Sequence, residues 1–321
     1  MSSQPRPHQL PLIPAARPRS RAEASAEGFT RSDLDSPRWR SSLRNVHSPV
    51  DQDPTHPHLR LLEAAGALVP GTALGGWAAG WLHGARELDG RGHGGQELEP
   101  VLVCLDPPAQ IRWRRGLRPF RSRLLPTDLD VVDGVTVTSV VRTGFDLARL
   151  APSLADAVAD LDCLCRDCEL DPAAVAAYAS QRRRWRGVEQ AVRAAGLVDV
   201  RTRSRGESRL RVLWRCDAKL PRPEVNARVV DPSGHLLGIV DLLDVESGLA
   251  GEYDGSDHRE LAQHTADNGR EEGLERAGLT VVRFTSLDLS HRLRTVQRLR
   301  EAWLAARRTP RGGWAWRPRS A

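Results

Sequence analysis

The stretch whose reading decides the fold is LAGEYDGSDHRE, residues 249–260. Its first half reads as the end of a buried strand, and Glu252 and Asp254 fall two apart along it. That spacing places both side chains on one face. Two carboxylates side by side repel each other, so their placement calls for a compensating charge. Gly255 follows, and then the pair Asp257-His258.

Upstream, HLLGIVDLL (235–243) reads as a second strand ending near Asp241, and EVNARVV (224–230) as a third, with DPSG (231–234) as the turn between them. SRGESRLRVLWRC (204–216) reads as a helix, as does the stretch 258–278 with a glycine cap at its end, and LTVVRF (279–284) is a further strand. The order over this half is α-β-β-β-α-β. A last amphipathic helix is expected from about Ser290 to Arg308, with Leu293, Val296 and Trp303 on its apolar side.

If the strands ending at Asp241 and Asp254 are neighbours, Asp241, Glu252 and Asp254 converge at one sheet edge. Clustered carboxylates without cations typically hold a hard divalent metal, which cancels their repulsion. A Mg²⁺ or Mn²⁺ ion there suits phosphodiester hydrolysis, activating a water and offsetting charge on the phosphate. Glu207 on the preceding helix is a candidate fourth ligand. Ser204-x-x-Glu207 is equally a capping box, in which Glu207 serves its own helix.

Residues 204–289 resemble the Vsr-like (very-short-patch-repair) branch of the PD-(D/E)XK endonuclease superfamily. The matching pieces are GESRLR (206–211), GIVDLL (238–243), EYDGSDH (252–258), DNGR (267–270) and GLTVVRF (278–284). The resemblance implies an α/β fold with a restriction-endonuclease-like mixed sheet and a metal-dependent DNA endonuclease activity. It makes Asp241 the central metal ligand, Glu252 the second acid and Glu207 a third contributed by the helix. The superfamily's Glu-x-Lys motif departs here, because Asp254 stands at the lysine position and Lys219 is the only lysine in the chain. His258 is the candidate for proton transfer in its place. Arg270 is a candidate phosphate contact oriented by Asp267, although that pair also reads as a surface i,i+3 salt bridge.

Residues 58–165 resemble AbiEi-type antitoxin proteins through AAGWLHGA (78–85), VLVCLDP (101–107) and VTSVVRTGFDLARL (137–150). That resemblance implies a defence or toxin–antitoxin setting and a smaller α+β domain before the nuclease-like one. In that family a winged-helix segment comes first and binds DNA. Here the corresponding residues, 1–57, are rich in Pro, Ser, Arg and Asp with little apolar periodicity, and read as a disordered tail. The expected division is therefore a tail over 1–57, an antitoxin-like domain over 58–200, a nuclease-like domain over 201–308, and a basic tail over 309–321.

With 321 residues the chain is long enough for two domains with real cores. The stretch 112–123 carries six arginines interleaved with Trp113 and Phe120. Arg112, Arg114, Arg115 and Arg118 are its candidates for gripping DNA phosphates. RRRWR (182–186) has the same reading, and both also read as solvated faces of an arginine-rich chain of net charge +6. No run of 18 apolar residues and no signal-like N-terminus is present, so no membrane span is expected. Five cysteines, an odd number, read as reduced cytoplasmic thiols. Cys163, Cys165 and Cys168 lack a fourth ligand at a strong spacing, which argues against zinc. The competing function is a non-catalytic DNA-binding regulator of antitoxin type on a vestigial nuclease fold.

Overall fold

The computed structural model describes residues 17–43, 45–92, 97–111, 114–255, 273–308 and 316–318. The architecture is mixed α/β, and the chain divides into two compact units. One comprises residues 1–82 with 98–139, the other 83–97 with 140–321.

The first unit corrects the reading of 1–57 as a disordered tail over its described residues, 17–43 and 45–57; residues 1–16 lie outside the described residues. It opens with β1 (Arg19–Ser20), α1 (Arg21–Ala26), α2 (Arg31–Leu34), β2 (Trp39–Leu43) and β3 (Val46–Pro49). The three strands form an antiparallel sheet in the order β1-β3-β2. Both helices are too short to hold by propensity, and each is fixed by a capping box, Ser20 with Glu23 and Thr30 with Asp33. Ala24, Leu34 and Val46 are buried, and Phe29 meets Trp39 edge-on at 5.6 Å. The guanidinium of Arg19 lies over both rings and pairs with Glu27. The apolar periodicity is thin because a few residues and one buried cation supply the whole small core.

A second sheet in this unit has the order β6-β5-β4-β8-β7. It is built from β4 (Thr72–Gly75), β5 (Val101–Leu105), β6 (Leu117–Arg121), β7 (Leu129–Val132) and β8 (Val135–Thr138), with α3 (Pro57–Ala65) and α4 (Gly76–His83) alongside in sequence. β5 is buried throughout, as the run VLVCL demands. β7 and β8 form the expected hairpin, turning at Asp133 and Gly134, whose φ values of 50° and 78° are those of a left-handed two-residue turn.

The second unit contains α5 (Val140–Leu150), α6 (Leu154–Asp167), α7 (Pro172–Ser180), α8 (Val188–Ala195) and α9 (Arg205–Val212), the last running on as a π turn to Asp217. Its sheet has the order β12-β11-β10-β9-β13, with β9 (Glu224–Val230), β10 (Leu236–Asp244), β11 (Leu249–Asp254), β12 (Thr280–Thr285) and β13 (Arg317–Pro318). β9, β10 and β11 run antiparallel, while β12 lies parallel to β11. The strands and the leading helix match the α-β-β-β-α-β order. Most of the expected helix 258–278 lies outside the described residues.

The division also differs from the boundary expected at residue 200. α5 to α8 belong with the second sheet, because α6 is zipped to α9 by three ion pairs: Arg205–Asp160 at 2.7 Å, Arg209–Asp156 at 3.0 Å and Arg211–Asp162 at 2.8 Å. The Asp162 carboxyl is pushed up by burial, against the pull of Arg211. One core cluster gathers Leu210, Trp214, Leu242, Phe284 and Leu299; another gathers Val229, Val240, Ala250, Leu279 and Trp316. Trp316 and β13 thus take part of the expected basic tail into the fold, since an indole covers apolar surface that the chain would otherwise leave wet. In the C-terminal helix Arg292–Ala306 the buried positions are Thr295, Leu299 and Ala306, whereas Leu293 is 84% exposed, contrary to its expected place on the apolar side. Among the described residues no helix is long and apolar enough to cross a membrane.

Candidate functional site

The register of the second sheet lines up four polar residues. Val225 pairs with Leu242 and Ala227 with Val240, so Asn226 stands opposite Asp241. Leu242 pairs with Gly251, so Asp241 stands opposite Glu252. Glu252 is in register with Arg283 on the parallel strand β12. A row Asn226, Asp241, Glu252, Arg283 therefore crosses four strands. All four line one cavity of about 510 Å³, together with Asp254, Arg203 and Tyr253.

Each acid is engaged within the protein. Asp241 Oδ2 accepts the backbone N–H of Tyr253 at 2.7 Å. Glu252 is buried, and its Oε2 lies 3.3 Å from Arg283 Nε. The sequence reading set a divalent metal beside Glu252; the structure sets the Arg283 guanidinium of β12 there. A sequence reading confined to the acidic strand missed Arg283; the signal available was an arginine inside the apolar run TVVRF. Asp254 ends β11 opposite Thr285 and lines the same cavity.

Glu207 belongs to the first turn of α9. Ser204 caps that helix, and its hydroxyl donates to Glu207 Oε1 at 3.1 Å. Glu207 Oε2 accepts Arg203 N–H at 2.8 Å and Asn226 Nδ2–H at 3.0 Å. Its position corrects the ligand reading: the carboxylate is spent on the helix start and on Asn226, and it is not among the residues lining the cavity. α9 itself sits close because Gly206 carries no side chain, and the Tyr253 ring occupies the place where a Cβ would project.

Among the described residues, no three His, Cys, Asp or Glu side chains form a group that could hold a metal ion. The expected convergence of Asp241, Glu252 and Asp254 on one point is therefore not found there: Asp241 accepts the Tyr253 N–H and Glu252 pairs with Arg283. What the row does offer a cation is two carboxylates, an amide and an open cavity. That donor set fits Mg²⁺ or Mn²⁺, which take hard oxygen ligands from one or two carboxylates and complete the rest from water or phosphate.

His258, Asp267, Arg270 and Arg112 lie outside the described residues. Arg114 and Arg115 precede the edge strand β6, and Arg118 is exposed on it. Around 182–186, the Arg182 guanidinium stacks on Tyr178, 3.4 Å from the ring centre. Trp185 meets the guanidinium groups of Arg142 and Arg149, which share Asp146. Part of that basic run is thus turned inward. Cys163 and Cys165 are buried, and burial pushes the Cys165 thiol up to about 12 and that of Cys168 to about 11.

No family model, curated protein or solved structure matches the chain.

Proposed function

We propose that this is a DNA-binding protein whose second unit is a PD-(D/E)XK endonuclease-like domain of the Vsr type, hydrolysing phosphodiester bonds with Mg²⁺ or Mn²⁺. The observation carrying the reading is the opposed pair Asp241 and Glu252, lining one cavity with Arg203 and Arg283. The two carboxylates are the metal-binding groups. A divalent ion bound there would activate a water and offset phosphate charge. Arg203 is exposed at the rim and Arg283 stands beside Glu252, so both are placed to attract a phosphate oxygen. Asp254 raises the negative charge of the cavity where the superfamily has lysine. His258 is the proton-transfer candidate.

The test is nicking of supercoiled plasmid by the purified chain. The expected result is conversion to open-circular or linear DNA with Mg²⁺ or Mn²⁺, none with EDTA, and none with Asp241→Asn. Cleavage that survives Asp241→Asn, or no cleavage under any metal condition, would overturn the catalytic reading.

A second reading, the non-catalytic DNA-binding regulator of antitoxin type, is favoured by two observations. The Glu252–Arg283 pair already neutralises one catalytic acid. The first unit opens with strand, two helices and a two-stranded hairpin in the sheet order β1-β3-β2, the arrangement of a winged helix-turn-helix. Tight, salt-dependent binding without nicking would select this reading.

A further inference from the structure

Asn226 is an anomaly in its strand. Its φ is 51°, in the left-handed region that non-glycine residues seldom adopt, yet its neighbours Val225 and Ala227 pair in register with Leu242 and Val240 on either side. Asparagine tolerates that conformation better than most residues. Its carboxamide is held from one side: Nδ2 donates to Arg201 O at 2.7 Å and to Glu207 Oε2 at 3.0 Å. Both partners are acceptors, so the amide cannot be turned over without setting its oxygen against two oxygens. Both hydrogens are spent on Arg201 O and Glu207 Oε2, which leaves Oδ1 as the amide's remaining hydrogen-bonding atom. Asn226 also lines the cavity, opposite Asp241.

The acids of the described residues form no three-membered metal group on their own. A cation held at this row by two carboxylates has places left for other oxygens, and hard cations readily accept amide carbonyls. We infer that Asn226 Oδ1 is a third oxygen ligand beside Asp241 and Glu252, and that Glu207 is a positioning residue that sets the amide's orientation. The inference rests on the metal-binding part of the proposed function. It gives Glu207 a part in the site without placing it on the metal, and it accounts for the strained backbone at residue 226.

The experiment is titration of the full-length chain with Mn²⁺, read calorimetrically and from the free-ion paramagnetic resonance signal. The variants are Asp241→Asn, Asn226→Gly, Glu207→Ala and Glu207→Gln. Glycine adopts the left-handed φ without strain, so Asn226→Gly removes the ligand and keeps the backbone. It should weaken Mn²⁺ binding roughly tenfold or more. Glu207→Ala should weaken it by about tenfold through loss of orientation, as outer partners of ligands do, and Glu207→Gln should restore it because its carbonyl still accepts the amide. Thermal melts on each variant establish that it is folded. Asp241-dependent Mn²⁺ binding that Asn226→Gly leaves unchanged would overturn this inference alone. Absence of binding by the unaltered chain, or binding indifferent to Asp241→Asn, would overturn the metal reading and this inference with it.

Discussion

Asp241 accepts the backbone N–H of Tyr253 at 2.7 Å, just past the last paired position, Leu242 with Gly251. A side-chain carboxylate thus continues the hydrogen bonding between β10 and β11, tying the lining of the cavity to the cohesion of the sheet.

That bond separates two substitutions. Asparagine keeps an oxygen that can accept from Tyr253, so Asp241→Asn should lie within about 0.5 kcal/mol of the unaltered chain in urea unfolding while abolishing metal-dependent nicking. Asp241→Ala should cost roughly 1–2 kcal/mol in the same measurement, since a part-buried donor is left without its partner. Equal stability of the two variants would show that the Tyr253 bond contributes nothing.

Gly206→Ala should be among the more damaging small substitutions. A Cβ there would overlap the Tyr253 ring, which packs on the core cluster around Trp214. Overpacking of this kind costs about 1–3 kcal/mol, and the ring must be displaced from the cavity wall. A lowered urea midpoint with an unchanged m-value is the expected result.

The first three-stranded sheet should loosen in acid. Hydrogen bonds from Arg19 and Arg17 hold the Glu27 carboxyl below its usual range, and the Thr30 hydroxyl and N–H do the same for Asp33. Burial pushes the His47 imidazole down. A depressed carboxyl contributes stability that is complete above its unfolded value and is lost as pH falls through the folded one. A depressed histidine is neutral in the fold, so stability begins to fall once pH drops below its ordinary value. All three act in one direction. Amide exchange over residues 17–49, corrected for intrinsic rates, should be faster at pH 5 than at pH 7.5, and faster again at pH 4. Exchange independent of pH would contradict this.

DNA binding should carry a salt signature from β6. Replacing Arg114, Arg115 and Arg118 with Ala should flatten the slope of log affinity against log salt by up to about 3, if each neutralises one phosphate. An unchanged slope would mean the run is only a solvated face.

The strands of the second unit were legible because EVNARVV, HLLGIVDLL and LTVVRF carry short-range signals that burial then satisfies. The two acids were legible for the same reason, since their spacing is local to one strand. Arg283 was not: it meets Glu252 only through a parallel pairing between segments 31 residues apart in the chain. The membership of α5 to α8 was hidden likewise, because the aspartates of α6 find their arginines on α9 across more than 40 residues. Asn226 looked like an ordinary strand residue, as a single left-handed φ leaves no mark on periodicity. The opening sheet was missed because composition speaks for the whole stretch while its order rests on single residues, the caps Ser20 with Glu23 and Thr30 with Asp33 and the buried Ala24, Leu34 and Val46.

The pairing of β13 with β9 also bears on how the molecule avoids its own kind. β9 would otherwise present a row of backbone donors and acceptors at the rim of the sheet, an invitation to a strand from another copy. Two residues cover part of it, and the outer one opposite Val229 is Pro318, which has no N–H to offer a newcomer. A variant ending before Trp316 would bare that rim together with the apolar surface the indole covers. Its failing would then be self-association during expression and storage.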